Sequence, residues 1–396
     1  MKIIIYGYYD MNNLGDDLFK YVFENMFRSD KNNVLFRNPD NTEDFPDDVD
    51  MIICGGGDII VDYFMVPFIQ LKRKWEKKNS KHLLSCVVSF GLSYPGQICD
   101  NAIHYLDIFD RYIVRNKDDY ISLVTRYGSA NVFELNDLVF LLPNYYKINK
   151  QPKEKRIGIF LARPIYNAGR NSEYINFVKG FASEIDQLAN DYYIDLVVSD
   201  YGKSDENNDM IINCDVYEYV KKNLNKIRII SCRDCLKTCD LFASYKFTIC
   251  MRFHAHILSY IYEIPMISLS MTKKSKYFMN DMGLEKYVIE FEKDGTNLYC
   301  DSLNKIHGLI SGMHGQYPLM QIKHGLNEEY MKYINTVCPR LSPPVYVHED
   351  EIVSNHINIF KNIYSVICKY NRQPCSDSVD EVVKNLCDTK DTISEI

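Results

Sequence analysis

Short apolar runs alternate with stretches of helical periodicity along most of this chain, and that alternation narrows the fold it can adopt. Ile3-Ile4-Ile5-Tyr6 is the first run, and Leu18, Phe19, Val22, Phe23 and Met26 follow at the spacing of one helix face. Asp50-Met51-Ile52-Ile53-Cys54, residues 83–90 and Arg111-Tyr112-Ile113-Val114 are further strand-like runs. They are apolar almost throughout. Parallel strands need that pattern because helices cover both faces of their sheet. The repetition predicts α/β architecture with parallel sheets.

Residues 143–156 interrupt the pattern with a polar stretch containing Pro143 and Pro152, which reads as a linker. Alternation restarts at residues 157–161. Tyr174, Phe177, Val178, Phe181, Ile185 and Leu188 then make an amphipathic helix, and residues 194–198, 246–250 and 265–270 are strand-like. A chain of 396 residues exceeds one ordinary core. The expected division is an N-terminal lobe over 1–150, a C-terminal lobe over 151–335 and a C-terminal helical extension and tail over 336–396. Two such lobes imply a cleft between them.

A net charge of -7 argues against nucleic acid as a partner, because phosphate binding calls for a basic surface. No run approaches the ~18 apolar residues of a membrane span. Asn12, Asn13, Asp16 and Asp17 follow the first apolar run too closely for a signal peptide. Thirteen scattered cysteines suit reduced thiols and a cytoplasmic setting better than a disulfide framework. A homo-oligomer is compatible with the sequence, which does not set its state.

The chemistry concentrates at strand ends. Met251-Arg252-Phe253-His254-Ala255-His256 lies between a strand-like run and an apolar helical run, and Lys274 follows the next strand. Ligands of open α/β sheets bind at such ends, where a helix N-terminus favours anions. Arg252, His254 and Lys274 can therefore meet one acidic substrate, with His254 able to move a proton. The blander reading has His254 capping a helix and Arg252 in a surface ion pair. His256 is off that face and is expected to pack or to face solvent. Arg115 ends another strand, with a structural ion pair as its alternative.

The loop from Gly7 to Asp17 carries two glycines and several Asn and Asp side chains, which suit sugar hydroxyls. It is not a dinucleotide fingerprint. A plain turn with Asp16 and Asp17 at a helix N-terminus explains it equally well. Gly55-Gly56-Gly57-Asp58 permits close backbone approach by a substrate, and a tight turn needs the same residues. Cys232, Cys235 and Cys239 lack a nearby fourth ligand apart from Cys250 in a strand, so no metal site is expected.

Taken in order, these segments resemble the polysaccharide pyruvyl transferase family. Gly7-Tyr8-Tyr9 with Asn13-Leu14-Gly15-Asp16-Asp17 is similar to the family's opening. Gly55-Gly56-Gly57-Asp58 resembles its triple-glycine turn, and Phe90-Gly91-Leu92-Ser93-Tyr94-Pro95 its Gly-x-Gly-Pro segment. Val114-Arg115 resembles its Val-Arg-Asp element. Arg252-Phe253-His254-Ala255, Pro265, Lys274, Phe278 and Gly283 match its most distinctive block. The chain departs at Asn116, at the lengthened Leu92-Ser93-Tyr94 and at Met271.

The resemblance implies two Rossmann-like lobes in a GT-B-like arrangement. It implies transfer of pyruvate from phosphoenolpyruvate to a sugar or glycan precursor as a cyclic ketal, with no metal or organic cofactor. Arg115, His254 and Lys274 would contact the donor, with His254 as acid/base and Arg252 helping to neutralise charge. Gly7, Asn13, Asp16, Gly56, Gly57 and Asp58 are the expected substrate-binding positions. Two rivals are a nucleotide-sugar glycosyltransferase on the same fold and a non-enzymatic glycan-binding relative.

Overall fold

The structure, a computed structural model, describes residues 2–27, 34–41, 43–92, 100–148, 155–163, 172–202, 207–231, 233–270, 272–290, 306 and 308–310. The first lobe contains strands β1 (Ile3–Tyr6), β2 (Val34–Arg37), β3 (Met51–Gly57), β4 (Leu84–Phe90), β5 (Arg111–Val114) and β6 (Val132–Glu134). Its helices are α1 (Leu14–Met26), α2 (Asp62–Asn79), α3 (Asp100–Leu106), α4 (Lys117–Tyr127) and the short α5 (Leu142–Tyr145). The strands form one sheet in the order β2-β1-β3-β4-β5-β6, with every pair parallel.

The second lobe repeats the scheme with β7 (Arg156–Phe160), β8 (Tyr193–Val198), β9 (Ile227–Ser231), β10 (Phe247–Cys250), β11 (Met266–Ser270) and β12 (Val288–Glu290). Helices α6 (Ser172–Leu188), α7 (Asp209–Tyr219), α8 (Cys235–Phe242), α9 (Phe253–Ile261) and α10 (Lys273–Asp281) flank it. The order is β12-β11-β10-β7-β8-β9, again parallel throughout. The strands expected from sequence are the eight interior ones; β2, β6, β9 and β12, all at sheet edges, were not anticipated. The expected helix beyond residue 336 lies outside the described residues.

Side-chain alternation divides the apolar residues into layers. Ile4 and Tyr6 of β1 pack into a cluster on the outer face of the first sheet, with Phe64, Phe68 and Trp75 of α2. Ile3 and Ile5 point the other way, onto Leu18, Phe19 and Val22 of α1. That second cluster does not stop at the lobe boundary. It continues through Leu138, Val139 and Leu142 to Cys250, Ala255, Ile257 and Met279 of the second lobe. Each such side chain fully withdrawn from water contributes roughly 1.5–3 kcal/mol. The lobes are thus joined by shared core, and the expected cleft survives only at the carboxyl ends of the strands.

Candidate active site

In each sheet the strand order reverses once, beside β1 and β3 in the first and beside β7 and β10 in the second. Loops leaving the carboxyl ends there diverge and make a crevice. The two crevices face one another across a cavity of about 800 Å³. Its wall takes Tyr8 and residues 10–16 from the β1 loop, Gly57 and Asp58 from β3 and Arg115 from β5. Ser199 to Gly202 come from β8, Arg252 to Ala255 from β10 and Lys274 from β11.

His254 is the second residue of α9. The N-terminus of α1 lies directly on its ring: a Cβ on Gly15 would sit 1.8 Å from His254 Nδ1, so only glycine leaves room for the imidazole. Phe19 meets the ring edge-on at 5.2 Å. Nε2 is buried without a hydrogen-bond partner, and the nearest carboxylate oxygen, Asp137 Oδ1, is 3.9 Å away. Burial first, then the charges of Arg115 and Lys274, hold this imidazole well below its ordinary pKa. It is neutral at pH 7, with a ring nitrogen aimed at no protein group. Leaving a buried polar atom unpaired costs about 1–3 kcal/mol.

Arg115 and Lys274 converge on one carboxylate. Arg115 Nη2 donates to Asp58 Oδ1 at 2.9 Å and Lys274 Nζ to Asp58 Oδ2 at 2.7 Å. Arg115 Nη1 also donates to buried Asp137 at 3.1 Å. The Phe253 ring lies under both cations, 4.7 Å from the guanidinium carbon and 5.7 Å from Nζ. Burial works to raise the Asp58 carboxyl, but Lys274 and Arg115 outweigh it and hold it below the usual range. Asp137 is raised instead, because burial outweighs Arg115 there. A bulge between β4 and β5 puts Ser89 in left-handed backbone, φ 55°. Its hydroxyl accepts from the Leu138 N–H at 2.8 Å, which seats Asp137 beside Arg115.

Arg252 forms ion pairs, with buried acids and not at the surface. Its Nε donates to Asp209 at 3.0 Å, and Nη1 lies 3.2 Å from Asp200. Burial pushes the Asp209 carboxyl up to about 6, with Arg252 opposing. The guanidinium borders the cavity while holding two buried acids. His256 packs inside: Nδ1 lies 3.0 Å from Arg252 O and Nε2 2.8 Å from Ser268 Oγ.

The loop from Gly7 divides its work. Asn13 caps α1 by accepting from the Gly15 N–H at 3.0 Å and donates to Asp200 of the other lobe at 3.0 Å. Leu14 N–H donates to Ser199 O at 2.8 Å and Tyr201 N–H to Asn12 O at 3.0 Å, so this loop seams the lobes together. The Asp16 carboxylate borders the cavity and has no hydrogen-bond partner among the described residues. Burial, then Asp200 and Asp17, push its pKa well above the usual range. Gly57, at φ 88°, borders the cavity too.

Gly7 and Gly56 do not reach the cavity, contrary to expectation. A Cβ on Gly7 would meet the Tyr9 ring at 2.3 Å, and one on Gly56 would meet Phe19 at the same distance. Their missing side chains make space for aromatic packing, not for a ligand.

The sequence profile of the polysaccharide pyruvyl transferase family matches residues 13–272. The chain belongs to that family. No curated protein matches it in sequence. Its fold is similar to that of S. aureus MnaA, solved with UDP, at a TM-score of 0.50 and 11% identity over 78% of this chain and 87% of that one. UDP-GlcNAc 2-epimerase from Neisseria meningitidis, bound to UDP-GlcNAc, gives a TM-score of 0.48 at 9% identity, over 78% and 92%. At such identity the likeness concerns the fold alone: two Rossmann-like lobes in a GT-B-like arrangement.

Within this pyruvyl transferase family member, the departure at Asn116 has a structural account. Asn116 caps α4, accepting from the Asp119 N–H at 2.9 Å, and Asp119 in turn accepts from the Leu92 N–H at 2.9 Å. The residue thus anchors the turn after β4 without touching the cavity. Residues 93–99 and Met271 lie outside the described residues. So does Cys232; Cys235 and Cys239 sit on α8, and no metal-binding cluster occurs among the described residues. No described helix is long and apolar enough to cross a membrane. Sequence reading took Gly15 only as a loop glycine near a ligand and did not single out Asp137 or Phe253. Phe253, between two residues that were singled out, had the clearest available signal.

Proposed function

We propose that the protein transfers the pyruvyl group of phosphoenolpyruvate to a sugar or glycan precursor and closes it as a pyruvate ketal. The observation that carries the reading is the convergence of Arg115 and Lys274 on one carboxylate, beside a neutral imidazole with an unpaired ring nitrogen. That pair of cations suits a small ligand with two anionic groups.

The donor's carboxylate and phosphate would take the place of Asp58 against the cations. A sugar hydroxyl then attacks the enol carbon while His254 Nε2 accepts its proton, as a neutral imidazole can. The donor methylene gains a proton and becomes a methyl group. Asp16, whose carboxyl burial and then Asp200 push toward the protonated form, would supply it. The phosphate leaves as a second hydroxyl closes the ketal. The transfer is redox-neutral and balances with donor, acceptor and inorganic phosphate.

Calorimetric titration of phosphoenolpyruvate into the wild type and Lys274→Ala tests this. Binding to the wild type that the substitution weakens at least about tenfold is expected, equivalent to one lost charge-assisted contact. A wild type that ignores phosphoenolpyruvate but is stabilised by a uridine or guanosine diphosphate sugar would overturn it in favour of glycosyl transfer.

A further inference from the structure

The wall of the same cavity also carries aromatic rings. Tyr8, in the loop after β1, and Tyr63, in the first turn of α2, stack with 6.0 Å between ring centroids and 5° between planes. Phe64 supports Tyr8 from beside it at 5.1 Å. The Tyr63 hydroxyl donates to Asp40 at 2.6 Å, which fixes the outer ring although the residue is 55% exposed. That bond, then burial, pushes the hydroxyl up to about 12, so it stays a neutral donor. Lone exposed tyrosines are common and carry no meaning. This one is held rigid in a cavity wall with a second ring stacked against it.

Asp10, Asp16 and Asp40 line this cavity as well. Lys20, the cation beside Asp10, is already paired with it at 2.7 Å. Flat aromatic faces attract the C–H faces of pyranose rings, and carboxylates accept from hydroxyls. Asp40 disfavours a second anion beside it. Asp16 adjoins Gly15, which lies on His254, so a ring seated here would abut the reacting groups.

We propose that the wall formed by Tyr8, Tyr63 and Asp40 is a subsite for a neutral pyranose, stacked on the tyrosines and hydrogen-bonded through Asp16 and Asp40, and that it rejects sugars with phosphate, sulfate or carboxylate on the seated ring. The proposal rests on the pyruvyl transfer reading and assigns the chemistry of its acceptor.

Saturation-transfer NMR on the full chain would use methyl glucoside, N-acetylglucosamine, glucuronate and glucose 6-phosphate as probes. The two neutral sugars are expected to bind at least tenfold tighter than the two anionic ones. Tyr63→Ala is expected to weaken the neutral sugars about tenfold and leave phosphoenolpyruvate binding within twofold. Tyr63→Phe keeps the ring and is expected to retain most of the affinity. Equal binding of anionic sugars, equal loss in the Phe and Ala variants, or no binding of either neutral sugar would each overturn the subsite. Loss of phosphoenolpyruvate binding in the wild type with sugar selectivity intact would instead overturn the donor and leave the subsite standing.

Discussion

Gly15 and His254 show how a single atom sets the chemistry. The imidazole fits only because position 15 lacks a Cβ, which would approach Nδ1 to 1.8 Å. In Gly15→Ala the ring has to move. Turnover is expected to fall on the order of 100-fold with little loss of stability, since misplacing a reacting group by about 1 Å has that effect. Wild-type turnover in Gly15→Ala would remove His254 from the reaction. That Arg115, His254 and Lys274 lie just past strand ends was legible, because a charge or imidazole after an apolar run marks such an end. Asp137 was not: it follows a three-residue edge strand and reads like any loop acid. Arg252 looked equivalent to Lys274, and only the structure shows that its carboxylate partners are Asp200 and Asp209, whereas that of Lys274 is Asp58.

At the scale of elements, His256 ties α9 to β11 through Ser268. Burial lowers its pKa from 6.5 to about 4. The unfolded chain takes up that proton more readily than the folded protein. The stability this residue carries is full above pH 6.5 and is lost as pH falls toward 4. Between pH 7 and pH 5 the wild type should lose about 2 kcal/mol that His256→Gln does not lose. Urea unfolding at the two pH values measures the difference, and parallel losses would contradict it. The legibility of elements followed the same physics of burial. Strands covered on both faces, such as Ile157-Gly158-Ile159-Phe160, announce themselves. Edge strands such as Ile227-Arg228-Ile229-Ile230-Ser231 mix polar with apolar residues, because one flank meets water.

Over the whole molecule, the decisive feature is the apolar cluster running from Ile3 and Phe19 to Ile257 and Met279. A sequence shows which residues are apolar but not which sheet they face, so two lobes were legible and their common core was not. Removing either lobe would expose that core. Thermal unfolding is therefore expected as one cooperative transition, with equal calorimetric and van't Hoff enthalpies. Two resolved transitions would mean that the lobes are independent.

Asp58 sets a filter for any anion that approaches Arg115 and Lys274. Because this carboxylate is tethered between Arg115 and Lys274, it competes as though present at very high local concentration. A simple anion meets that competitor with one charge and gains little by displacing it. A compact ligand bearing two anionic groups engages both cations together and wins by chelation. Selectivity for a two-headed donor can thus arise from an incumbent that must be evicted, rather than from a pocket shaped around its guest.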